Sequence, residues 1–244
     1  GLRHDCPMTM KVHHLNCGTM CPVGGRLLSG KGSVFSRGLL ICHCLLIETE
    51  QSGLVLVDTG FGLDDIATPA KRLGTSRFML SAKMDPLEAA ATQVEALGFR
   101  REDVRHIVLT HLDLDHAGGL SDFPEATVHL LGAEKAAAEN PSGMEKTRYR
   151  ATQWAHGPTW STYAPSGEPW KGFEAVRELE GLPPEILMIP LAGHTRGHAG
   201  IAPQPGAHPP PPCGHAHLLR VTPAPHPSPP ACSQFTQAPC PQHI

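Results

Sequence analysis

Between residues 107 and 120 the chain reads Ile-Val-Leu-Thr-His-Leu-Asp-Leu-Asp-His-Ala-Gly-Gly-Leu, and this stretch restricts the architecture more than any other. The apolar run to Thr110 predicts a β-strand. If the chain stays extended for a few residues, period-two alternation sends His111, Asp113 and Asp115 to one side and Leu112 and Leu114 to the core. His116 is then expected to open a helix, and Gly118-Gly119 permits close backbone approach at the turn. Four potential ligands, His111, Asp113, Asp115 and His116, fall within six residues at the end of a strand. A solvated polar turn would not interleave them with leucines. Imidazole and carboxylate together suit zinc or another first-row metal, whereas an all-oxygen set would suit calcium or magnesium. Sixteen histidines against two tyrosines and three tryptophans point the same way.

A second cluster, Ile189-Pro190-Leu191-Ala192-Gly193-His194-Thr195-Arg196-Gly197-His198, also ends a strand on a glycine-flanked histidine. His194 supplies the long-range ligand that the first cluster lacks, and His198 reads as a supporting or packing residue. Around these segments the pattern alternates strand and helix. Leu39 to Ile47 and Leu54 to Val57 read as a hairpin with buried strands. Pro86 to Leu97 reads as a helix with Gly98 at its C-cap. Arg105 to Thr110 and Ala126 to Leu131 read as strands and Ala133 to Glu139 as a helix. Phe173 to Leu179 and Ile186 to Pro190 are further strands. Asn140 to Lys171 has no regular period and reads as a lid or binding loop, with Trp154, His156 and Trp160 lining a pocket or roofing the core.

The segment Thr-His-Leu-Asp-Leu-Asp-His-Ala-Gly-Gly at 110 to 119 resembles the histidine- and aspartate-rich signature of the metallo-β-lactamase superfamily. Val55-Leu56-Val57-Asp58-Thr59-Gly60 resembles its strand and Asp-Thr-Gly turn, and Gly193-His194-Thr195 its third histidine motif. Within the superfamily the likeness is to the acyl-homoserine lactonase and glyoxalase II branch. The resemblance implies an α+β fold, an αββα sandwich, with two divalent metal ions, zinc first and iron or manganese as alternatives. It places His111, Asp113 and His194 on one metal and Asp115 and His116 on the other. It also implies hydrolysis of a lactone, thioester or similar small carbonyl ester by a metal-bound hydroxide, with Asp115 orienting the nucleophile and passing its proton to the leaving group. Asp58 would orient a ligand, or simply cap its turn. Position 113, usually histidine in the hydrolases, is aspartate here, which favours harder metals.

Composition changes abruptly near residue 200. Residues 201–244 hold thirteen of the 25 prolines and one charged residue, Arg220. The expected division is a metallo-β-lactamase-like domain over 10–202 and a Pro-rich, disordered tail over 203–244. The family's bridging aspartate and last histidine would fall in that tail, which has no Asp or Glu, so the sandwich is expected to be incomplete in its C-terminal half. Cys213, His215 and His217 are substitute ligands at most. An impaired or non-catalytic product, or an interaction protein using its Pro-rich tail, is the alternative from another class.

A net charge of −3 gives no basic patch for nucleic acid. The longest apolar stretch is far short of the roughly 20 residues of a membrane helix. No secretory leader is visible, and eight irregularly spaced cysteines read as reduced thiols, so the expected location is the cytoplasm. Cys17, Cys21, Cys42, His43 and Cys44 read as buried thiols or, on poorer spacing, a zinc site.

Overall fold

A computed structural model of the chain describes residues 10–29, 33–143, 145–191 and 193–204. Eleven strands form two sheets among these residues. The larger is built from β1 (Lys11–Met20), β2 (Leu40–Glu48), β3 (Leu54–Val57), β4 (Ala82–Lys83), β5 (Val104–Val108), β6 (Thr127–Leu131) and β7 (Thr159–Tyr163). Its order is β4-β1-β2-β3-β5-β6-β7. The smaller contains β8 (Glu168–Trp170), β9 (Phe173–Glu178), β10 (Ile186–Pro190) and β11 (Ala199–Pro203), in the order β11-β10-β9-β8.

The hairpin expected from residues 39 to 57 forms, with Leu46 opposite Leu56 and Ile47 opposite Val55. From β3 onward the large sheet turns parallel, β3 to β5, β5 to β6 and β6 to β7. All four residues of β3 are buried, as expected of a central strand covered on both faces. Alternation divides the apolar side chains between two cores. Leu46, Leu56, Ile107 and Leu109 pack with the helical Ala90, Ala91, Val94 and Ala137. Ile47, Val55, Val57 and Val108 face Ile186 and Met188 of the small sheet, with Leu179 just beyond β9. Among the described residues, helices, large sheet and small sheet therefore stack in that order, three layers of the αββα sandwich that the resemblance implies. Burying Met188 and Ile186 completely is worth on the order of 1.5–3 kcal/mol each against an exposed position.

Two segments depart from the sequence reading. The helix expected from Pro86 to Leu97 divides into a 3-10 turn, Pro86–Glu88, and a helix, Ala90–Ala96. The Asp85 carboxylate accepts from the Leu87 amide at 3.0 Å, and Ala89 is extended. Leu87 is consequently exposed while Ala90, Ala91 and Val94 carry the buried face. Within Asn140 to Lys171, β7 pairs in parallel with β6 and β8 pairs with β9. Thr-Trp-Ser-Thr-Tyr has no aliphatic run, so its strand character depends on its neighbour. Trp154 and Trp160 pack against the first core, which favours roofing the core over lining a pocket. The segments proposed as tail ligands, Cys213, His215 and His217, lie outside the described residues. No described helix is long and apolar enough to cross a membrane.

Cys17, Cys42 and Cys44 are buried free thiols, and burial pushes the pKa of Cys42 and Cys44 up. Strand alternation in β2 sends Cys42 and Cys44 inward and His43 outward, so these residues do not converge as a zinc site would require. The expectation of reduced thiols holds at Cys17, Cys42 and Cys44.

Candidate functional site

β5 ends at Val108, two residues earlier than expected, because the Thr110 amide leaves the ladder for a side chain. The Leu109 amide donates to the His129 carbonyl at 2.9 Å, and the Thr110 amide donates to Asp58 Oδ1 at 2.8 Å. The chain turns at Asp113. Its carbonyl then accepts from the amides of His116 and Ala117 at 2.9 and 3.0 Å, and a 3-10 turn, Gly118–Asp122, follows where a helix was expected. Leu112 and Leu114 are buried in separate cores as the alternation requires.

Asp58, in the turn after β3, organises this loop. Besides the Thr110 amide it accepts from Thr110 Oγ1 at 2.8 Å and faces His116 Nδ1 at 2.9 Å. These bonds reach across to Thr110 and His116 and not to the turn of Asp58 itself, so one carboxylate fixes both the facing backbone and the imidazole. Thr59 continues the arrangement, its amide and hydroxyl both donating to the His116 carbonyl at 2.8 Å. With His116 Nδ1 turned to Asp58, Nε2 points the other way and lies 3.5 Å from Asp115 Oδ2. Burial opposes charge on His116, but Asp58 and then Asp115 and Asp113 more than offset it and raise its pKa to about 9.

His111 is almost wholly buried. Its Nδ1 contacts Thr110 Oγ1 at 2.8 Å, which leaves Nε2 facing Asp113 Oδ2 at 3.3 Å. From the second segment, His194 Nε2 reaches the same Asp113 oxygen at 3.1 Å. His111, Asp113 and His194 each offer a donor atom within 4.8 Å of the others, and this is the metal-capable group found among the described residues. His198 packs edge-on to both His111 and His194, at ring-centroid distances of 5.1 and 5.6 Å. Asp115 and His116 lie beside this group as a pair, and the His111 and His116 rings are only 4.0 Å apart.

Two polar atoms of the group, His111 Nε2 and Asp113 Oδ1, are buried without a hydrogen-bond partner. Orphaned acceptors of this kind cost free energy unless a cation or donor meets them. The residues present therefore fit a first-row divalent ion.

Arg148 also enters this group, and no motif had singled it out. Its Nη1 donates to Asp113 Oδ2 at 2.9 Å and lies 3.2 Å from His194 Nε2. Burial alone would raise the pKa of Asp113, but His111, Arg148 and His194 hold it below the ordinary carboxylate range. Arg148 falls in the stretch without periodicity, where nothing in the sequence distinguishes it. Glu134, fully buried and bonded to both loops that carry the candidate ligands, was legible in part. It shares a helix face with Ala137, and a carboxylate on an apolar face signals a specific partner.

The sequence profile described as the metallo-beta-lactamase superfamily matches residues 37–218. The chain belongs to this superfamily. It is 47% identical over 214 residues to the "Probable metallo-hydrolase Rv2300c" of Mycobacterium tuberculosis, an alignment covering 87% of this chain and 64% of that protein. The chain thus spans less than two thirds of that relative's length. It is 33% identical over 99 residues to the N-acyl homoserine lactonase of Bacillus cereus, which covers 39% of this chain and 38% of the lactonase. Among solved structures, an N-acyl homoserine lactone hydrolase with N-hexanoyl-L-homoserine at its catalytic metal center superposes with a TM-score of 0.60 at 21% identity. That superposition covers 80% of this chain and 70% of the hydrolase, and at this identity it speaks for the fold.

Proposed function

We propose that this metallo-β-lactamase fold is a metal-dependent hydrolase of a small carbonyl ester, with a lactone as the favoured substrate class. The observation that carries the reading is the convergence of His111, Asp113 and His194, from segments 81 residues apart in the chain, with two buried acceptor atoms unpartnered. The 33% identity to a lactonase, though local, supports lactone over thioester.

In this reading His111, Asp113 and His194 hold one divalent ion, and Asp115 and His116 contribute to a second. Zinc fits the imidazoles; the carboxylate at 113 leaves iron and manganese as alternatives. When bound, such ions polarise a carbonyl and make a nucleophile available at neutral pH. The chain's own residues do the rest. Asp58 turns His116 Nε2 toward the site, and Thr110 does the same for His111 through its hydroxyl. Asp115 stands beside His116 with a carboxylate placed to take a proton from an attacking water and deliver it to the leaving oxygen. Arg148 keeps Asp113 ionised, the form in which it can ligate.

The test replaces His116 and His194 together with alanine. Metal content measured by mass spectrometry should fall from a near-stoichiometric level to background, and zinc-dependent hydrolysis of an acyl-homoserine lactone should disappear with it. Unchanged metal content in the double variant would overturn the assignment.

A further inference from the structure

His194 is half exposed, and the side chains that meet its imidazole, Asp113, Arg148 and His198, contact it on one side only after its backbone has brought it there. Its position is inherited from the backbone of residues 193–198. Several contacts hold that backbone. The Leu191 amide donates to the His198 carbonyl, and the Ala199 amide donates to the Thr110 carbonyl at 2.9 Å. Arg196 pairs with Glu145 on the surface, where solvent screens the interaction.

One contact differs from these in kind. Glu134 Oε2 accepts from the Gly197 amide at 3.0 Å, while Oε1 of the same carboxylate accepts from the Leu112 amide, also at 3.0 Å. Leu112 lies between His111 and Asp113, and Gly197 lies three residues beyond His194. A single buried side chain therefore bonds the backbones of both loops that bring the candidate ligands together. The approach is close enough to dictate sequence, because a Cβ on residue 197 would stand 2.1 Å from the Glu134 amide nitrogen. Only glycine fits there.

We infer that Glu134 is a positioning residue that sets the separation between His111, Asp113 and His194, and thereby the metal affinity of the site. This rests on the ligand reading proposed above. Each carboxylate oxygen takes one backbone N–H, so neither loop can move away without leaving a buried donor or acceptor unpaired. Replacing Glu134 with Gln keeps the shape but turns one acceptor into an NH2 donor. One of the two amides must then lose its partner.

The experiment is amide hydrogen exchange by NMR on the metal-free full chain, paired with zinc titration. In the wild type the Leu112 and Gly197 amides should be protected. In Glu134→Gln one of them should exchange faster while core amides such as Leu56 and Ile107 keep their rates, and zinc should bind about 10- to 100-fold more weakly, as when groups that orient ligands are removed elsewhere. A role in stability alone would instead speed exchange throughout the core.

The inference fails if the wild-type amides are unprotected, or if Glu134→Gln leaves both amides protected or zinc affinity unchanged. Should that variant not fold, Glu134→Asp, one methylene shorter and able to reach only one loop, carries the same expectation. A His194→Ala control separates the two readings. If it binds zinc as tightly as wild type, the ligand assignment falls, while the exchange data still judge the clamp.

Discussion

Asp113 concentrates the charge of the site on one oxygen. Oδ2 meets His194 Nε2, Arg148 Nη1 and His111 Nε2 within 3.3 Å, while Oδ1 is buried and unpartnered. A histidine at this position would remove a negative charge and offer a softer nitrogen. Asp113→His should therefore shift the site toward zinc over manganese. Competition dialysis of the two metals against both proteins measures this, and an unchanged preference would place Asp113 outside the ligand set. At this scale much of the site was legible. Leucines alternating with His111, Asp113 and Asp115 leave polar groups on one side of an extended chain, and no ordinary turn needs them there. Arg148 was not legible, because an arginine in an aperiodic segment reads like any solvated cation until the fold brings it to a carboxylate.

The 3-10 turn Gly118–Asp122 rests directly on the segment between β3 and the helix Leu63–Ala67. A Cβ on residue 118 would lie 2.2 Å from Asp65 Oδ2 and 2.5 Å from the Gly60 carbonyl oxygen. Asp65 cannot swing aside, since Arg72 Nε and Gln153 Nε2 hold its two oxygens at 2.7 and 2.8 Å. Gln153 also donates to the Leu114 carbonyl, so the ion pair under the turn is tied to the ligand loop itself. Gly118→Ala should cost about 1–3 kcal/mol, the range for overpacking a close-packed region. Its urea midpoint should drop with the slope unchanged; equal midpoints would mean that the turn yields freely. The sequence predicted close approach at Gly118-Gly119 correctly. It expected a helix opening at His116, whereas a 3-10 turn, Gly118–Asp122, forms against Gly60 and Asp65.

Across the whole molecule, a buried histidine and a half-buried aspartate make opposing contributions to stability against pH. Burial, and then His106, lowers His129 to about 4. Below its ordinary value of roughly 6.5 the unfolded chain binds the extra proton, so this contribution is lost as pH falls toward 4. Burial raises Asp122 to about 6. There the folded chain holds the extra proton, so stability is gained as pH falls from about 6 toward 3.8. The windows overlap and the two largely cancel in the wild type. Asp122→Asn keeps an acceptor for the Leu63 amide but removes the compensating gain, so it should lose stability on acidification from pH 6.5 to 4.5 more steeply than wild type. The difference is bounded by about 1.4 kcal/mol per pH unit. Urea unfolding at the two pH values checks it, and parallel losses would refute the pairing.

Local patterns in this chain determine most of its strands, its two-sided central hairpin and the identity of the metal-capable side chains, because alternation and turn chemistry act over a few residues. They do not determine which distant groups meet. Glu134 reaches Leu112 and Gly197, Asp58 reaches His116, and Arg148 reaches Asp113 and His194 only after the parallel order β3-β5-β6 has brought the strand ends side by side. Such contacts are decided by the packing of two sheets about shared cores, a property of the folded whole that no window of sequence contains.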